Sequence, residues 1–349
     1  CNLIVGRIHG GTALVNILVS MLFGGISGSS TADVSSIGSM LIPAMVDEGY
    51  DADYSVAVTV TSSLEGVMVP PSQNMLYYAV ASASGISIST LLICGFTPGV
   101  LLTLGLAVPA YIVARKRNYP LSEKFPRGER LKVTLDAMLG LGAIIIVVVG
   151  ITFGICSATE SASLAAVYAI AITLLFYRSL NFKQMIKAIK AVTPIMSMSL
   201  AIIAASNAFS YVMTSLRVPT LLAEFLLKLS SNNNVIMLLM LVLMLILGCF
   251  MDMGVLILLS TPILYPIAVN SLGWNPYQFG VILVFAFAIG LCTPPVGTSL
   301  FIGCKIANIP VESSIKAFLP FYIIMLILLI LFTYIPALSL GLPTALGLL

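Results

Sequence analysis

A polar, glycine-rich stretch between two short apolar segments constrains this fold more than any other feature. The apolar segments are Thr12–Gly24 and Ala32–Val46, and residues 25–31 between them hold hydroxyls and glycines. Neither segment has the roughly 20 residues that a helix needs to cross a bilayer. Non-helical backbone persists at membrane depth only where protein or a water-filled cavity satisfies its polar groups. We therefore predict a re-entrant hairpin whose tip is a binding site.

The composition is that of an integral membrane protein built from helices. Hydrophobic residues make up 59% of the 349 and charged residues 8%, and the mean hydropathy is +1.11. These values exclude a soluble core and predict an all-α polytopic membrane protein. The six cysteines lie singly, and the one histidine, His9, has no catalytic partner set. We therefore expect no disulfide framework, no metal cluster and no enzyme.

A broken helix is predicted directly after the first hairpin. Tyr54–Met68 is rich in Val, Thr and Ser, and Pro70-Pro71 follow it. Proline lacks the N–H and disfavours helix in the residue before it, so the helix must end there. A short helix, Met75–Ser84, continues beyond. Secondary transporters use such discontinuous helices to leave helix ends and free carbonyls at mid-membrane.

The whole pattern returns after about 223 residues. The spacing from Gly25 to Pro43 and from Gly248 to Pro266 is 18 residues in both cases. We therefore predict an internal repeat of re-entrant helical hairpins and discontinuous helices. The parts of the second unit are the arms Val235–Leu247 and Val255–Val269 around the tip 248–254, the helix Tyr277–Leu291, the break 292–298 with Pro294-Pro295, and a short helix to Asn308.

Basic residues orient the two units. Four full spans and one broken helix separate the hairpins, and five crossings invert the second unit relative to the first. With the first hairpin on the cytoplasmic side, only Arg217 and Lys228 of the 16 Lys and Arg residues lie outside, as the positive-inside rule requires. The basic excess thus reports orientation, and no nucleic-acid partner is expected. The predicted divisions are 12–88 (first repeat), 89–231 (scaffold spans with a basic cytoplasmic arm), 232–309 (second repeat) and 310–349 (C-terminal scaffold span).

Two local signals lie between the repeats. Ser157-Ala158-Thr159-Glu160 fits a capping box, in which the Ser and Glu side chains bond each other's backbone N–H groups. Asn181–Lys190 is amphipathic, with lysines near helical spacing. We expect it to lie along the membrane interface before the span Val192–Met213.

The two hairpin tips and the two proline breaks are the predicted sites. The predicted substrate contacts are Ser27, Gly28, Ser29, Ser30, Thr31, Ser72, Gln73, Asn74, Gly297 and Thr298. Oxygen ligands without softer donors suit a hard cation, and proline breaks free carbonyls one turn back, so Na⁺ is the expected cofactor. The predicted Na⁺ ligands are Gly25, Ser27, Ser29, Pro70, Ser72 and Asn74 at one site, and Gly248, Asp252, Thr293, Pro294, Gly297 and Thr298 at the other.

Three acidic residues lie near these sites. Asp33 and Asp252 are costly at membrane depth and are functional by default. Each alternatively caps the returning arm of its hairpin. Glu65, one turn before the first proline break, lines the cavity or pairs with a backbone N–H. A coupled proton would need one of these carboxylates as its carrier, whereas hydroxyls and carbonyls bind Na⁺ without titrating.

Two other protein classes compete with a secondary transporter. An intramembrane aspartyl protease would need Asp33 and Asp252 to share a proton. Their surroundings differ, however, and the repeat would have no explanation. A cation- or anion-selective channel is the nearer rival, because polar re-entrant loops also build selectivity filters. Saturable flux driven uphill by an ion gradient would distinguish a transporter from a channel.

Five long strings of the sequence carry a family pattern: residues 20–29 (SMLFGGISGS), 38–45 (GSMLIPAM), 69–72 (VPPS), 288–297 (AIGLCTPPVG) and 334–340 (YIPALSL). They resemble the large membrane subunit (M, DctM-like) of the tripartite ATP-independent periplasmic (TRAP) transporters, and the resemblance spans essentially the whole chain. Two positions depart from the family pattern: Ser30, where Ala is common, and Met253, where Pro commonly follows the aspartate. Members are longer at the N-terminus, so we expect one or more helices before residue 1.

This resemblance implies a Na⁺-coupled elevator carrier of the bacterial inner membrane, with a fold like that of the ion-transporter superfamily. It implies uptake of an organic acid, often a C4-dicarboxylate or sialic acid. The implied partners are a small four-helix membrane subunit (Q type), a periplasmic substrate-binding protein (P type) and membrane lipid. The residues themselves do not identify the acid, since no arginine lies clearly in either site.

Overall fold

The computed structural model describes residues 10–120, 130–152, 155–178, 181–230 and 232–349, and these form helices and turns without a strand. His9 and part of the basic arm lie outside the described residues. Four of the described helices are long and apolar enough to cross a membrane: Ile88–Lys116, Thr159–Phe176, Met253–Ser271 and Val311–Tyr334. The prediction of an all-α polytopic membrane protein is confirmed.

The first hairpin consists of two helical arms joined by a two-residue turn. The outgoing arm ends at Gly28, which has φ 62°, a left-handed conformation that glycine adopts without steric cost. The Gly28 N–H donates to the Gly24 carbonyl at 3.0 Å. The tip is shorter than predicted, because the outgoing helix continues through Ser27. The elements are α1 (Gly11–Ser27), α2 (Ser30–Asp33), a π-helical segment (Val34–Gly38) and α3 (Ser39–Asp47).

Pro70-Pro71 interrupt the next helix as predicted. Val69 before them is extended, with φ −73° and ψ 133°, as a residue before proline prefers. Helix resumes after Ser72, whose hydroxyl accepts the Met75 N–H at 3.3 Å. A turn at residues 63–64 adds a second interruption that the sequence analysis did not foresee. The elements are α4 (Ala52–Ser62), α5 (Glu65–Met68) and α6 (Gln73–Ala81).

Five helices lead to the second repeat. The predicted capping box forms: the Ser157 N–H donates to the Glu160 carboxylate at 2.8 Å, and the Glu160 N–H donates to the Ser157 hydroxyl at 3.3 Å. The amphipathic stretch predicted to lie along the membrane interface does not form a helix of its own. Asn181–Lys190 leads into the following span as one helix, since no helix breaker lies between them and Pro194 is accommodated inside. The elements are α7 (Ile88–Lys116), α8 (Arg130–Thr152), α9 (Ala158–Ala171) with a π-helical segment (Ile172–Phe176), α10 (Phe182–Ser215) and α11 (Val218–Leu229).

The second repeat has the same order of elements as the first. Its returning arm extends two residues beyond the predicted one at each end, with Pro262 inside the helix and Pro266 at the start of a π-helical segment. Pro294-Pro295 interrupt the next helix, and the bond between the prolines is cis, as at Pro70-Pro71. The first half of that helix is buried from Gln278 onward. The elements are α12 (Asn233–Gly248), α13 (Met253–Tyr265), a π-helical segment (Pro266–Ser271), α14 (Pro276–Leu291) and α15 (Thr298–Ala307).

Each repeat is followed by a long helix that packs against the repeats. Helix α7 and the helix after α15 begin at residues 88 and 311, and 311 − 88 gives the repeat offset of 223. The Tyr54 hydroxyl donates to the Ala110 carbonyl of α7 at 2.7 Å. The Gln278 amide donates to the Phe332 and Thr333 carbonyls at 3.1 and 2.8 Å. The closing elements are α16 (Val311–Tyr334) and α17 (Ala337–Ala345).

Candidate functional site

Each hairpin crosses its own broken helix through a pair of glycines. A Cβ at Gly24 would lie 2.3 Å from the Cα of Gly66, and a Cβ at Gly290 would lie 2.3 Å from the carbonyl carbon of Gly248. Such backbone-on-backbone approach leaves no room for any other residue. Both members of the second pair lie 224 residues after their counterparts in the first. The predicted sequence repeat is therefore accompanied by the same close backbone contact in both units.

The first hairpin tip lies directly on the first proline break. A Cβ at Gly28 would lie 2.7 Å from the Pro71 carbonyl oxygen, and one at Gly25 would lie 3.3 Å from that of Pro70. The structure therefore brings the tip and break residues predicted for the first Na⁺ site together. The side chains there are Ser27, Ser29, Ser72 and Asn74.

Hydrogen bonds fix the polar side chains of this tip. The Ser27 hydroxyl donates to the carboxylate of Asp33, which is 1% exposed. Asp33 does not cap the returning arm, because the N-cap position is Ser29. The Ser72 hydroxyl donates to the Val67 carbonyl, one of the carbonyls that the proline break leaves without a helical donor.

Ser30 connects the two repeats. The Ser63 hydroxyl donates to the Val60 carbonyl at 2.7 Å, so Ser63 accepts from Ser30, whose oxygen lies 2.6 Å away. Because the Ser30 proton is used in that bond, Ser30 accepts from Ser299 at 2.7 Å. Ser299 belongs to α15, so one hydroxyl of the first hairpin bonds to both broken helices.

The second hairpin tip meets the second proline break in the same way. The Val296 N–H donates to the Cys249 carbonyl at 3.0 Å, which joins tip and break. The Thr293 hydroxyl donates to the Ile289 carbonyl at 2.8 Å. The Thr298 hydroxyl is buried without a hydrogen-bond partner. The structure thus brings together most residues of the second predicted Na⁺ set: Gly248, Thr293, Pro294, Gly297 and Thr298.

Asp252 makes no described hydrogen bond to that break. Its carboxylate accepts the Gly254 N–H at 2.9 Å and caps α13, as one of the two hypotheses proposed. The side chain is exposed. Among the described hydrogen bonds none joins Asp252 to Asp33, so the two aspartates do not form the proton-sharing pair that an aspartyl protease needs.

A cavity of about 200 Å³ lies between the two tips. Of the predicted substrate contacts, Ser27, Gly28, Ser72, Gly297 and Thr298 are not among its lining residues. Its lining residues come from the first tip, α6, the start of α13, α14 and α10: Ser29, Ser30, Thr31, Gln73, Asn74, Tyr77, Ile202, Asp252, Met253, Gly254 and Leu291.

The cavity is polar without being basic. No Lys, Arg or His is among the described lining residues, and Asp252 is its only charged side chain. Helices α6 and α13 both begin at the cavity, with Gln73 and Met253 as their first residues. Helix N-termini point free N–H groups and the positive end of the helix dipole at a ligand, so they attract anions without a cationic side chain.

A known protein family matches almost the whole sequence. Residues 1–338 match the family described as tripartite ATP-independent periplasmic transporter, DctM component. The chain belongs to this family. DctM proteins are transporter permeases, so the chain is a membrane transport protein and not an enzyme, and the aspartyl protease hypothesis is wrong.

Several DctM relatives are similar along nearly the whole chain. The C4-dicarboxylate TRAP transporter large permease protein DctM of Pseudomonas aeruginosa is 37% identical over 346 residues, which cover 99% of this chain and 80% of the relative. The sialic acid TRAP transporter large permease protein SiaM of Vibrio cholerae is 32% identical, over 97% of this chain and 79% of the relative. The isethionate TRAP transporter permease protein DctMQ of Oleidesulfovibrio alaskensis is 36% identical, over 95% of this chain and 52% of the relative.

In this DctM chain, sequence reasoning missed several residues of the site. Tyr77 follows Gln73 by one helical turn and accepts a hydrogen bond from its amide, so its position could have been inferred from the helical period. The Tyr322 hydroxyl of α16 donates to the Cys292 carbonyl of the second break. Ile202 of α10 lines the cavity. Nothing local in the sequence indicates the last two, because both depend on how distant helices pack.

Proposed function

We propose that this DctM chain is the large permease of a Na⁺-coupled secondary transporter that takes up an organic acid across the bacterial inner membrane. One observation carries the proposal: two hairpin tips and two helix N-termini of an internal repeat meet at one polar cavity. Inverted repeats with broken helices around a central site are the architecture of alternating-access carriers.

The proposed substrate is an organic acid bound mainly by neutral groups. Relatives are named for C4-dicarboxylate, sialic acid and isethionate, which are all acids that are anionic at neutral pH. The N-terminus of α6 and the hydroxyl and amide groups of Thr31, Gln73 and Asn74 would bind a carboxylate or sulfonate. Asp252 at the cavity edge favours an acid with a hydroxyl or amide group on that side, because a second anionic group there would be repelled.

The proposed coupling ion is Na⁺, bound at two places. At the first, the Gly25–Ser29 tip faces Pro70, Ser72 and Asn74; at the second, the Gly248 tip faces Thr293, Pro294, Gly297 and Thr298. The unpartnered Thr298 oxygen supports the second site, because buried polar atoms in proteins almost always have a partner. Asp252 is the least supported member of the set, because its carboxylate caps α13 instead.

The proposed partners are a small Q-type membrane subunit, a periplasmic P-type binding protein and membrane lipid. The relative called DctMQ is roughly twice as long as the matched region, which covers 52% of it. Helices α9 and α10 expose large apolar side chains, including Leu164, Val167, Phe182 and Leu200. A face of this kind suits lipid or an apolar membrane subunit.

Uptake into proteoliposomes tests the proposal. The complete transporter, with its small subunit and binding protein, is given radiolabelled succinate, sialic acid or isethionate under an inward Na⁺ gradient. We expect saturable, concentrative uptake of one acid that disappears without Na⁺. Thr298→Ala should raise the Na⁺ concentration for half-maximal rate several-fold, whereas Thr344→Ala in α17 should leave it unchanged.

Two outcomes would contradict the proposal. Uptake driven equally by a pH gradient without Na⁺, and abolished by Asp33→Asn alone, would assign coupling to a proton. Non-saturable flux that no gradient can drive uphill would make the protein a channel.

A further inference from the structure

A buried acid without partners lies beneath the first hairpin. Glu65 is 0% exposed, and neither of its carboxyl oxygens has a hydrogen-bond partner. Asp33, 1% exposed, is its carboxylate neighbour, and one Asp33 oxygen is also unpartnered. An ionised Glu65 carboxylate enclosed without hydration, a hydrogen-bond partner or a basic neighbour would be very unfavourable, so Glu65 must be neutral.

Basic residues do not supply the missing charge. The elements that pack on α5 are α1, α2, α6, α7 and α14. Of their titratable groups, Asp33 interacts electrostatically with Glu65. Arg115 is 12 residues from Thr103, the α7 residue that faces Glu65, or about 18 Å along the helix. Helix α1 has no titratable group. The titratable groups of the other elements are Asp33 in α2, Tyr77 and Tyr78 in α6, Cys94, Tyr111, Arg115 and Lys116 in α7, and Tyr277 in α14.

The surroundings favour a proton over a metal ion. A Cβ at Gly66 would lie 2.5 Å from Asp33 Oδ2 and 2.9 Å from the Cα of Gly24, so the backbone packs tightly against the acids. Glu65 and Asp33 are only two acids, and groups of three or more metal-ligating side chains are absent from the described residues. A proton needs no such space and only one acceptor.

Thr103 faces Glu65 as an acceptor and not as a donor. Its hydroxyl proton is donated to the Gly99 carbonyl at 3.0 Å, so toward Glu65 it offers only a lone pair. An ionised Glu65 would face that lone pair with another, whereas a protonated Glu65 has a proton to share with it.

We propose that Glu65 is a proton-binding site, protonated while the first hairpin is closed over it and able to exchange that proton when the hairpin lifts. The Gly24 backbone covers the Glu65 turn, and Ser30 joins Ser63, two residues before Glu65, to the cavity edge. Movement of the hairpin therefore uncovers the acid. The role of Na⁺ in holding the hairpin closed rests on the proposed function.

Infrared spectroscopy of the purified membrane complex tests this site. The wild type at neutral pH should show the C=O stretch of a protonated carboxyl group, and Glu65→Gln should remove it. Glu312→Gln, at an exposed acid of α16, is the matched control and should leave the band intact. A wild type without the band, or a band that survives Glu65→Gln, overturns the proposal.

Deuterium exchange tests the link to the hairpin. Transfer into D₂O should shift the band at least tenfold more slowly in NaCl than in KCl. Equal rates overturn the hairpin link even if uptake is Na⁺-driven, and the protonated band does not depend on any transported acid. If Glu65→Gln does not fold, Thr103→Val should instead move the band to higher frequency while Thr103→Ser leaves it in place; an unmoved band in Thr103→Val overturns the assignment.

Discussion

Gly28 combines two constraints that a matched pair of mutations can separate. Its φ of 62° resembles that of Gly85, 66°, but a Cβ at Gly28 would lie 2.7 Å from the Pro71 carbonyl oxygen while Gly85 has nothing within 4 Å. Gly85→Ala should cost about 1–2 kcal/mol for the left-handed backbone alone. Gly28→Ala should cost more, because the hairpin tip must also move off the break.

Thermal unfolding in detergent and Na⁺-driven uptake measure this pair. We expect a lower unfolding temperature for both variants and lost uptake only for Gly28→Ala. Equal effects of the two substitutions would mean that the contact between tip and break is unimportant.

The acidic residues show where residue-level prediction reaches its limit. Asp33 and Asp252 carry the same signal in the sequence, an acid near a polar tip, but Asp33 is buried one turn inside its helix whereas Asp252 begins its helix and is exposed. The difference depends on where each returning helix starts. That position is set by the close contact of tip and break, which no local pattern in the sequence indicates.

At the scale of elements, the end of α7 is fastened to the start of α4. Arg117 donates to Asp51 at 2.7 Å and to Asp53 at 3.2 Å, and the Tyr119 hydroxyl donates to Asp51 at 2.6 Å. The Tyr119 hydrogen bond, followed by Arg117, lowers the pKa of Asp51. A carboxylate with a lowered pKa in the folded state stabilises the fold above its unfolded pKa, and that stability is lost as the pH falls through the folded value.

This cluster should make a small, pH-dependent contribution. Because Asp51 is 58% exposed, Tyr119→Phe should cost about 0.5–1 kcal/mol near neutral pH. The difference from wild type should shrink as the pH falls below about 4. Unfolding temperatures across that pH range measure it, with Arg115→Gln as a control outside the cluster. A Tyr119→Phe penalty that does not change with pH would show that Asp51 ionisation is not involved.

The positions of the helix breaks were predictable from the sequence, but the lengths of the helices were not. A double proline removes two donors and forces the preceding residue out of helix, so Pro70-Pro71 and Pro294-Pro295 determine their breaks locally. The first hairpin's outgoing arm continues through Ser27 instead of ending at Gly24, and the second hairpin's returning arm ends in a π-helical segment that reaches Ser271. Helix ends within membranes depend on tertiary support, which a hydropathy pattern does not contain.

At the scale of the molecule, Arg217 and Lys228 are the basic residues predicted to face the periplasm, and both are exposed. If they meet acidic groups on a soluble binding protein, each should contribute about 0.2–1 kcal/mol. Reversing both charges should weaken docking more at low salt than at high salt. Reversal of Lys305 and Lys316, on the opposite predicted face, is the control. Docking that ignores both reversals would exclude Arg217 and Lys228 from the interface.

An elevator mechanism predicts which crosslinks stop transport. Ile202 of α10 and Met253 of α13 both line the cavity, and we propose that α13 moves past α10. A disulfide or mercury bridge between cysteines at these positions should abolish uptake until it is reduced. The control pair, Gly105 and Leu328, joins α7 to α16, where a Cβ at Gly105 would lie 3.0 Å from Leu328.

The control bridge should be tolerated, because α7 and α16 pack together and are both predicted to belong to the scaffold. Uptake that persists through the bridge between α10 and α13 would contradict an elevator.

The two hydrogen bonds of the Ser30 hydroxyl bear on how well the proposed carrier would preserve the ion gradient. Lifting the first hairpin breaks its bonds to Ser63 and Ser299 at once, and two hydrogen bonds of about 1 kcal/mol each amount to roughly a 30-fold bias toward closure. A carrier with both hairpins lifted would be a hole through which ions run down their gradient. Because the bond to Ser299 joins the first hairpin to the second broken helix, a displacement of either repeat strains a contact of the other. In the proposed carrier, this single side chain would therefore limit leakage of the coupling ion across the membrane.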